Sequence, residues 1–424
     1  MSDCGVMDSD NSDATAATAA RTPAKNSPPP PRQDEPDLPL MEFSARWVEL
    51  HELAELEPAW RRLAEAAVEP GGFHEPHFLA PALRHLADGT GVRLLAVEAP
   101  KRVYPEGPRV LCGLLPIVAR RTFYGLPVRA WEIWSHDYSF LNTPLVRRDC
   151  TREVLDFLFA TAAARPDGAG VVHFPTIAAE GPLHRALVES NAAAYRTVFT
   201  KDHDTRALFR RAADAETFLK ASLSRKKRQG IQRTERRLAE SGKLECRWLG
   251  AEDDVIGWCD EFLRLEASGW KGAEGSALNS NPAHAEFFHD LTAGAAVEGK
   301  LMMGRLDFDG RPIAMICNLL SRDGGYSFKI AHDESLAEHS PGLLLELALI
   351  RELHARGIEW MDSCAASDHS MINHLWPERV LRQSIVVATG RRGGDLATSL
   401  MPILQWTKNR LRRGNNKSTS TKRN

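Results

Sequence analysis

The sequence lacks a charge bias: 54 Lys and Arg stand against 56 Asp and Glu over 424 residues, a formal net charge of −2. A near-neutral chain has no whole-molecule attraction to nucleic acid or acidic lipid, so any such contact must be local. Paired cysteines are missing as well. The seven cysteines, Cys4, Cys112, Cys150, Cys246, Cys259, Cys317 and Cys364, are scattered and free of C-x-x-C spacing, which excludes a disulfide-stapled scaffold and a zinc ribbon and predicts reduced thiols. Long apolar runs are also absent. Gly342 to Ile350 is broken by Glu346, far short of the roughly 18 uninterrupted apolar residues of a membrane-crossing helix. Met1 to Asp13 has neither a cationic start nor an apolar stretch, so no secretory or mitochondrial leader is expected and a cytoplasmic location follows.

What the chain does have is length for two or three domains and a pattern that changes period several times. Residues 1–40 are rich in Ser, Ala, Thr, Asp and Pro, including Ser27-Pro28-Pro29-Pro30-Pro31, and read as a disordered leader. Residues 401–424 form a basic tail, with Lys408, Arg410, Arg412, Arg413, Lys417, Lys422 and Arg423. Between them, Leu301 to Phe308, Arg311 to Leu320 and Tyr326 to Ala331 read as strands, the first two joined by the hairpin signal Asp309-Gly310. Ser340-Pro341-Gly342 then opens a helix, Leu343 to Arg356, that Gly357 ends, and Ile358 to Asp362 follows as a strand. The same order occurs more loosely at Val92 to Glu98, Arg109 to Arg120, Ala130 to Ser135, Glu153 to Ala164 and Val171 to Ile177. The chain reads as an internal duplication with a join near Arg210 to Ala215, giving lobes at 41–212 and 213–400. The fold class is α+β, each lobe a mixed, mostly antiparallel sheet with flanking helices.

Two local features bear on chemistry. A helix start offers free N–H groups and a positive dipole end, so Ser340-Pro341-Gly342 outlines a phosphate cradle; equally, Ser340 could simply cap the helix with Pro341 in its first turn. The basic stretch Lys220 to Arg237, with Arg225-Lys226-Lys227-Arg228, suits a helix that captures a phosphate-bearing partner, or a solvated helix between lobes. Two decoys fall away. Gly294 to Lys300 matches G-x-x-x-x-G-K, but Leu301 stands where Ser or Thr would meet magnesium, and a strand follows instead of preceding it. The pairs His284/His289 and His369/His374 lack the spacing of a zinc helix, so no metal is expected.

Leu265-Glu266-Ala267-Ser268-Gly269-Trp270-Lys271-Gly272, Gly310-Arg311-Pro312-Ile313-Ala314, Tyr326 through Asp333, His339 through Leu345, and Gly357 through Cys364 resemble the GNAT acyltransferase superfamily. In detail they are similar to its tandem CelD-like and FemABX-like proteins, over about Met41 to Gly390. The resemblance implies transfer of an acyl group, most simply acetyl, from acyl-CoA directly to an amine bound between the lobes, for instance in envelope or polysaccharide metabolism. It implies that the amides of Glu338, His339, Ser340, Pro341, Gly342 and Leu343 hold the coenzyme's pyrophosphate, with Ile330 and Ala331 beside the acyl arm. The familiar loop has an Arg or Gln leading two glycines; here it reads Glu338-His339-Ser340-Pro341-Gly342-Leu343. The first copy has Leu141-Asn142-Thr143-Pro144-Leu145 in place of its cradle, without glycine, and is expected to shape the acceptor site only.

Acyl transfer to an amine needs a base and a proton for the leaving group. Place beside the expected acyl arm ranks Glu266, His332, Asp333 and Asp362 as base candidates, with Tyr326 and His369 for the leaving group. Trp270, Lys271, Lys329, Asp333 and Arg228 are the candidate substrate contacts. Cys364 is read as a buried small residue instead of a nucleophile, because neighbours along a strand point to opposite faces. Two alternatives remain: aminoacyl transfer from tRNA, as in the FemABX reaction, and a non-catalytic protein that holds a phosphate-bearing ligand or polyanion through residues 220–237 and 408–424.

Overall fold

A computed structural model describes residues 42–100, 109–391 and 393–420, with side chains to residue 407. The leader at 1–40 and the side chains of the basic tail lie outside the described residues; the tail's backbone continues the helix Gly394–Ser420.

Among the described residues thirteen strands form one sheet. In chain order they are β1 (Ser44–Val48), β2 (Val92–Ala99), β3 (Val110–Arg120), β4 (Ala130–Ile133), β5 (Leu145–Val146), β6 (Val171–Ala178) and β7 (Val198–Arg210). The second half adds β8 (Leu244–Trp248), β9 (Leu301–Phe308), β10 (Arg311–Ser321), β11 (Gly324–His332), β12 (Trp360–Asp362) and β13 (Glu378–Ala388). The duplication is plain in the pairing. In each half, four antiparallel strands (β1 to β4, β8 to β11) are followed by a helix and then by a strand parallel to the fourth (β6, β12). The crossover helices are Thr151–Ala164 and Pro341–Ala355. Between the halves the order is β6-β13-β7-β12, so β7 lies beside the second half's β12 and β13 beside the first half's β6.

Local chemistry explains the elements that frame the site. Asp309 and Gly310 both take left-handed φ (49° and 79°), the turn that matches the twist of the β9–β10 hairpin. Alternation along β9 and β10 sends Met303, Met315 and Cys317 toward the helix Val255–Ser268, and Met302, Ala314 and Ile316 toward Pro341–Ala355. These two helices therefore cover opposite faces. Pro341 needs no partner for an N–H at the helix start, and buried Leu345, Leu349, Ile350 and Leu353 anchor the helix to the sheet. The basic stretch expected as one helix is two: Ala215–Ser222, capped by Asp214, and Arg225–Ser241, capped by Ser224. The two hydroxyl and carboxyl caps restart the chain, and the break at Leu223 follows from them.

Candidate active site

β11 and β12 pair only from Gly324 to Tyr326 against Trp360 to Asp362. Beyond that point β11 runs on to His332 while β12 stops, and the two diverge. The gap opens a cleft of about 330 Å³ lined from both faces of the sheet. Glu266 and Lys271 reach it from one side, Glu346 from the other, Lys329 and His332 from β11, and His369 from the segment after β12.

The ionised groups are tightly arranged. Glu266 is buried, and its Oε1 accepts from Lys271 Nζ at 2.9 Å and Lys329 Nζ at 3.3 Å, while Oε2 accepts from the Leu278 N–H at 2.9 Å. Burial alone would raise its pKa, but the two ammonium groups and the amide hold it below the ordinary range. Burial lowers the Lys329 pKa, opposed by Glu266, and its ammonium stands 5.0 Å from the Tyr138 ring centroid. Glu346 is different. Among the described residues no partner reaches its Oε2, and burial pushes its pKa up to about 8. Cys364, also on the cleft, is buried, and burial holds its thiol well above the usual range, against a thiolate nucleophile.

A second groove, about 440 Å³, lies where two helix N-termini converge: Ser224, Lys226, Lys227 and Ile231 of one helix face Ser340 and Leu343 of the other. The first turn of Arg225–Ser241 carries cations and no acid, the wrong sign for the helix dipole. An anion in the groove would relieve that conflict. The amides, by contrast, are largely committed. Ser340 N–H donates to Ala337 O, Leu343 and Leu344 N–H donate to Ser340 O, and Pro341 has no N–H.

Residues 225–370 match the family model of the acetyltransferase (GNAT) domain. Over these residues the second half of the chain is similar to a GNAT domain. Among solved structures, FemX is similar over 80% of this chain and 96% of its own at 10% identity, with a TM-score of 0.50, which shows a shared fold. The C-terminal domain (DUF2156) of a putative lysylphosphatidylglycerol synthetase from Agrobacterium fabrum shares 14% identity, covering 82% of this chain and 95% of that one, with a TM-score of 0.49. A tandem GNAT protein from the clavulanic acid biosynthesis pathway also shares 14%, covering 82% and 99%, with a TM-score of 0.40. No curated protein matches.

Around the matched residues 225–370 the expected site residues divide. Glu266, Lys271, Lys329, Ile330, Ala331, His332, Trp270 and His369 all line the cleft, and His339, Ser340 and Leu343 line the groove. Pro341 and Gly342 are buried at the helix start, where a Cβ on Gly342 would come into contact with His332 Nδ1 at 3.4 Å. Arg228 lies on the basic helix, half-buried, with its Nε unpartnered among the described residues. The remaining candidates are placed elsewhere. Tyr326 is in the core, its hydroxyl donating to Pro70 O at 3.2 Å, outside the cleft lining. Asp362 is buried in an ion pair with Arg206 at 2.9 Å. Asp333 caps the turn that follows β11 by accepting from Ser335 N–H, and Glu338 is exposed outside the groove lining. Of the amides expected from Glu338 to Leu343, those of Ser340 and Leu343 donate within local turns and Pro341 has none, while Lys226 and Lys227 line the same groove. Ser340 also does not cap its helix; it takes a left-handed conformation (φ 49°) with no side-chain cap bond.

The first half contributes less than expected. Phe140 is its representative in the cleft lining, and Asn142 of the glycine-free segment is buried, donating to Trp134 O and Ser139 Oγ. Glu75, His77 and Glu298 are the metal-capable group among the described residues, and Lys300 Nζ already pairs with Glu75 and Glu298 at 2.6 and 2.9 Å. Glu346 was missed from the sequence. Its signal was a lone acid inside Leu343-Leu344-Leu345-Glu346-Leu347-Ala348-Leu349, noticed only as a break in an apolar run.

Proposed function

We propose that the protein is an acyl-CoA-dependent N-acyltransferase in which donor and acceptor meet in the gap between β11 and β12. The single observation that carries this is the divergence of those strands into a cleft open to both faces of the sheet. On the face of Pro341–Ala355, the donor's phosphates lie in the groove of Lys226 and Lys227, and its thioester reaches the gap beside Ile330. On the face of Val255–Ser268, the amine lies near Lys271 and Trp270. The fold can hold the two reactants in attack geometry, an effect worth about 7–11 kcal/mol.

The test is binding of coenzyme A, acetyl-CoA, longer acyl-CoAs and ATP, by calorimetry and thermal shift, to the wild type and to the Lys226→Glu/Lys227→Glu double variant. Specific binding of the thioesters, weakened roughly tenfold or more (about 1.4 kcal/mol) in the double variant with its melting temperature kept, is the expected result. Wild-type indifference to every thioester would sink the donor assignment.

A second reading has its own support. The cations of Arg225–Ser241 continue past the groove at Arg233, Arg236 and Arg237, all on exposed or half-exposed positions, which suits an aminoacyl ester carried on RNA. Transfer from aminoacyl-tRNA, without turnover of acyl-CoA, would select it.

A further inference from the structure

Glu346 is a carboxyl built into an apolar helix face and turned toward the cleft. The elements against which its helix packs present apolar groups, Met302 of β9, Ala314 and Ile316 of β10, Ile330 of β11, and Phe218 and Leu219 of Ala215–Ser222, while Lys226, Lys227 and His339 stand at its N-terminal end beside Leu343 and Leu344. Across the cleft stand Lys329 and His332 of β11, Glu266, Lys271, Glu334, Cys364 and His369. Glu266 already takes the two ammonium groups, and among the described residues no partner reaches Glu346 Oε2. An isolated carboxyl in such a place stays protonated at neutral pH and has an O–H to donate. It lies on the same helix as Ser340 and Leu343, which line the groove assigned to the donor's phosphates.

Resting on the acyltransfer reading above, we propose that the Glu346 carboxyl is the general acid that protonates the leaving atom of the acyl donor. The neutral amine attacks the thioester carbonyl carbon and the N–C bond forms. As the C–S bond breaks, its electron pair goes to sulfur, and the Glu346 proton goes with it to give the thiol. The carboxylate left behind takes up the proton that nitrogen sheds on becoming an amide, directly or through water, and is protonated again. Nothing is consumed beyond amine and thioester. For an ester donor the same balance holds with oxygen as the leaving atom.

The experiment is Glu346→Gln, which keeps the shape and neutrality of the protonated acid. Turnover of acetyl-CoA is expected to fall about 100-fold or more with coenzyme A affinity unchanged. The alkaline limb of the wild-type kcat/KM profile is expected to vanish. An aryl thioester, whose thiolate leaves without a proton, is expected to lose only a few fold. Unchanged turnover, a retained alkaline limb, or equal losses for both donors overturns the assignment of Glu346 alone. A wild type inactive toward every acyl donor overturns the acyltransfer reading, and this assignment with it. Infrared spectroscopy gives a readout free of substrate: a protonated-carboxyl stretch at neutral pH that Glu346→Gln removes is expected, and its absence also overturns the assignment.

Discussion

Glu266 and Glu346 face one cleft and are driven in opposite directions, the first ionised by two lysines and an amide, the second neutralised by burial without a partner. Such separated carboxyls are the usual way to divide acid and base work in a site. A stability measurement reads the difference. Glu346 titrates near 8 in the folded chain and near 4.3 when unfolded, so between those values the folded state holds a proton that the unfolded state has released. Stability from this group is therefore fully present below about pH 4 and is lost as pH rises toward 8, at up to about 1.4 kcal/mol per pH unit. Urea titrations from pH 4.5 to 8 are expected to show the wild type falling relative to Glu346→Gln across that window. Parallel curves would place the carboxyl in a wetter, ordinary environment. At Glu266 the sign is reversed. Removing its charge with Glu266→Gln takes away the group that raises the Lys329 pKa, and the ammonium resonance of labelled Lys329 is expected to titrate at lower pH than in the wild type.

At the scale of elements, β12 is only three residues long, yet it sits between β11 and β7 and fixes where the cleft begins. Its Asp362 meets Arg206 of β7, both buried, and Arg206 also donates to Phe140 O at 3.1 Å, the cleft residue from the first half. Breaking one side of a buried pair leaves the other charge uncompensated. Asp362→Ala is expected to cost about 3–5 kcal/mol in denaturant unfolding. A cost below about 1 kcal/mol would mean that water reaches the pair. Most of these elements were legible in the sequence: the Asp309-Gly310 hairpin, the strand periods and the Pro341 helix start come from local chemistry. What was not legible was partnership. Asp362 and Tyr326 have the right residue types for proton chemistry, but whether a strand residue points at a cleft or a core depends on which element lies across from it. The backbone at Ser340 was hidden for a similar reason: it takes a left-handed conformation with no side-chain cap bond, and its N–H donates to Ala337 O.

At the scale of the molecule, the two halves are interleaved in the sheet. β13, the last of the described strands, fills the space between β6 and β7, both of the first half, pairing with β6 through Arg382 to Ala388 and with β7 along most of its length. Sequence duplication could announce two copies of one layout, because that is repeated local pattern; it could not announce the exchange, which links segments about 200 residues apart. The energetic consequence is specific. If each half closed on its own sheet, the halves could melt separately, as loosely joined domains do. With β13 of the second half held between β6 and β7 of the first, and β7 paired on its other edge with β12, unfolding either half strips strands of the other of a hydrogen-bonded partner. Scanning calorimetry is therefore expected to give one transition with equal van't Hoff and calorimetric enthalpies. A chain ending before Glu378 is expected to aggregate, because it exposes the edges of β6 and β7 together. Two resolved transitions in the intact protein, or a soluble, folded truncation, would mean that the shared strand does not couple the halves. In that event the cleft, whose walls rest on β12 and through it on β7, would owe its shape to the second half alone.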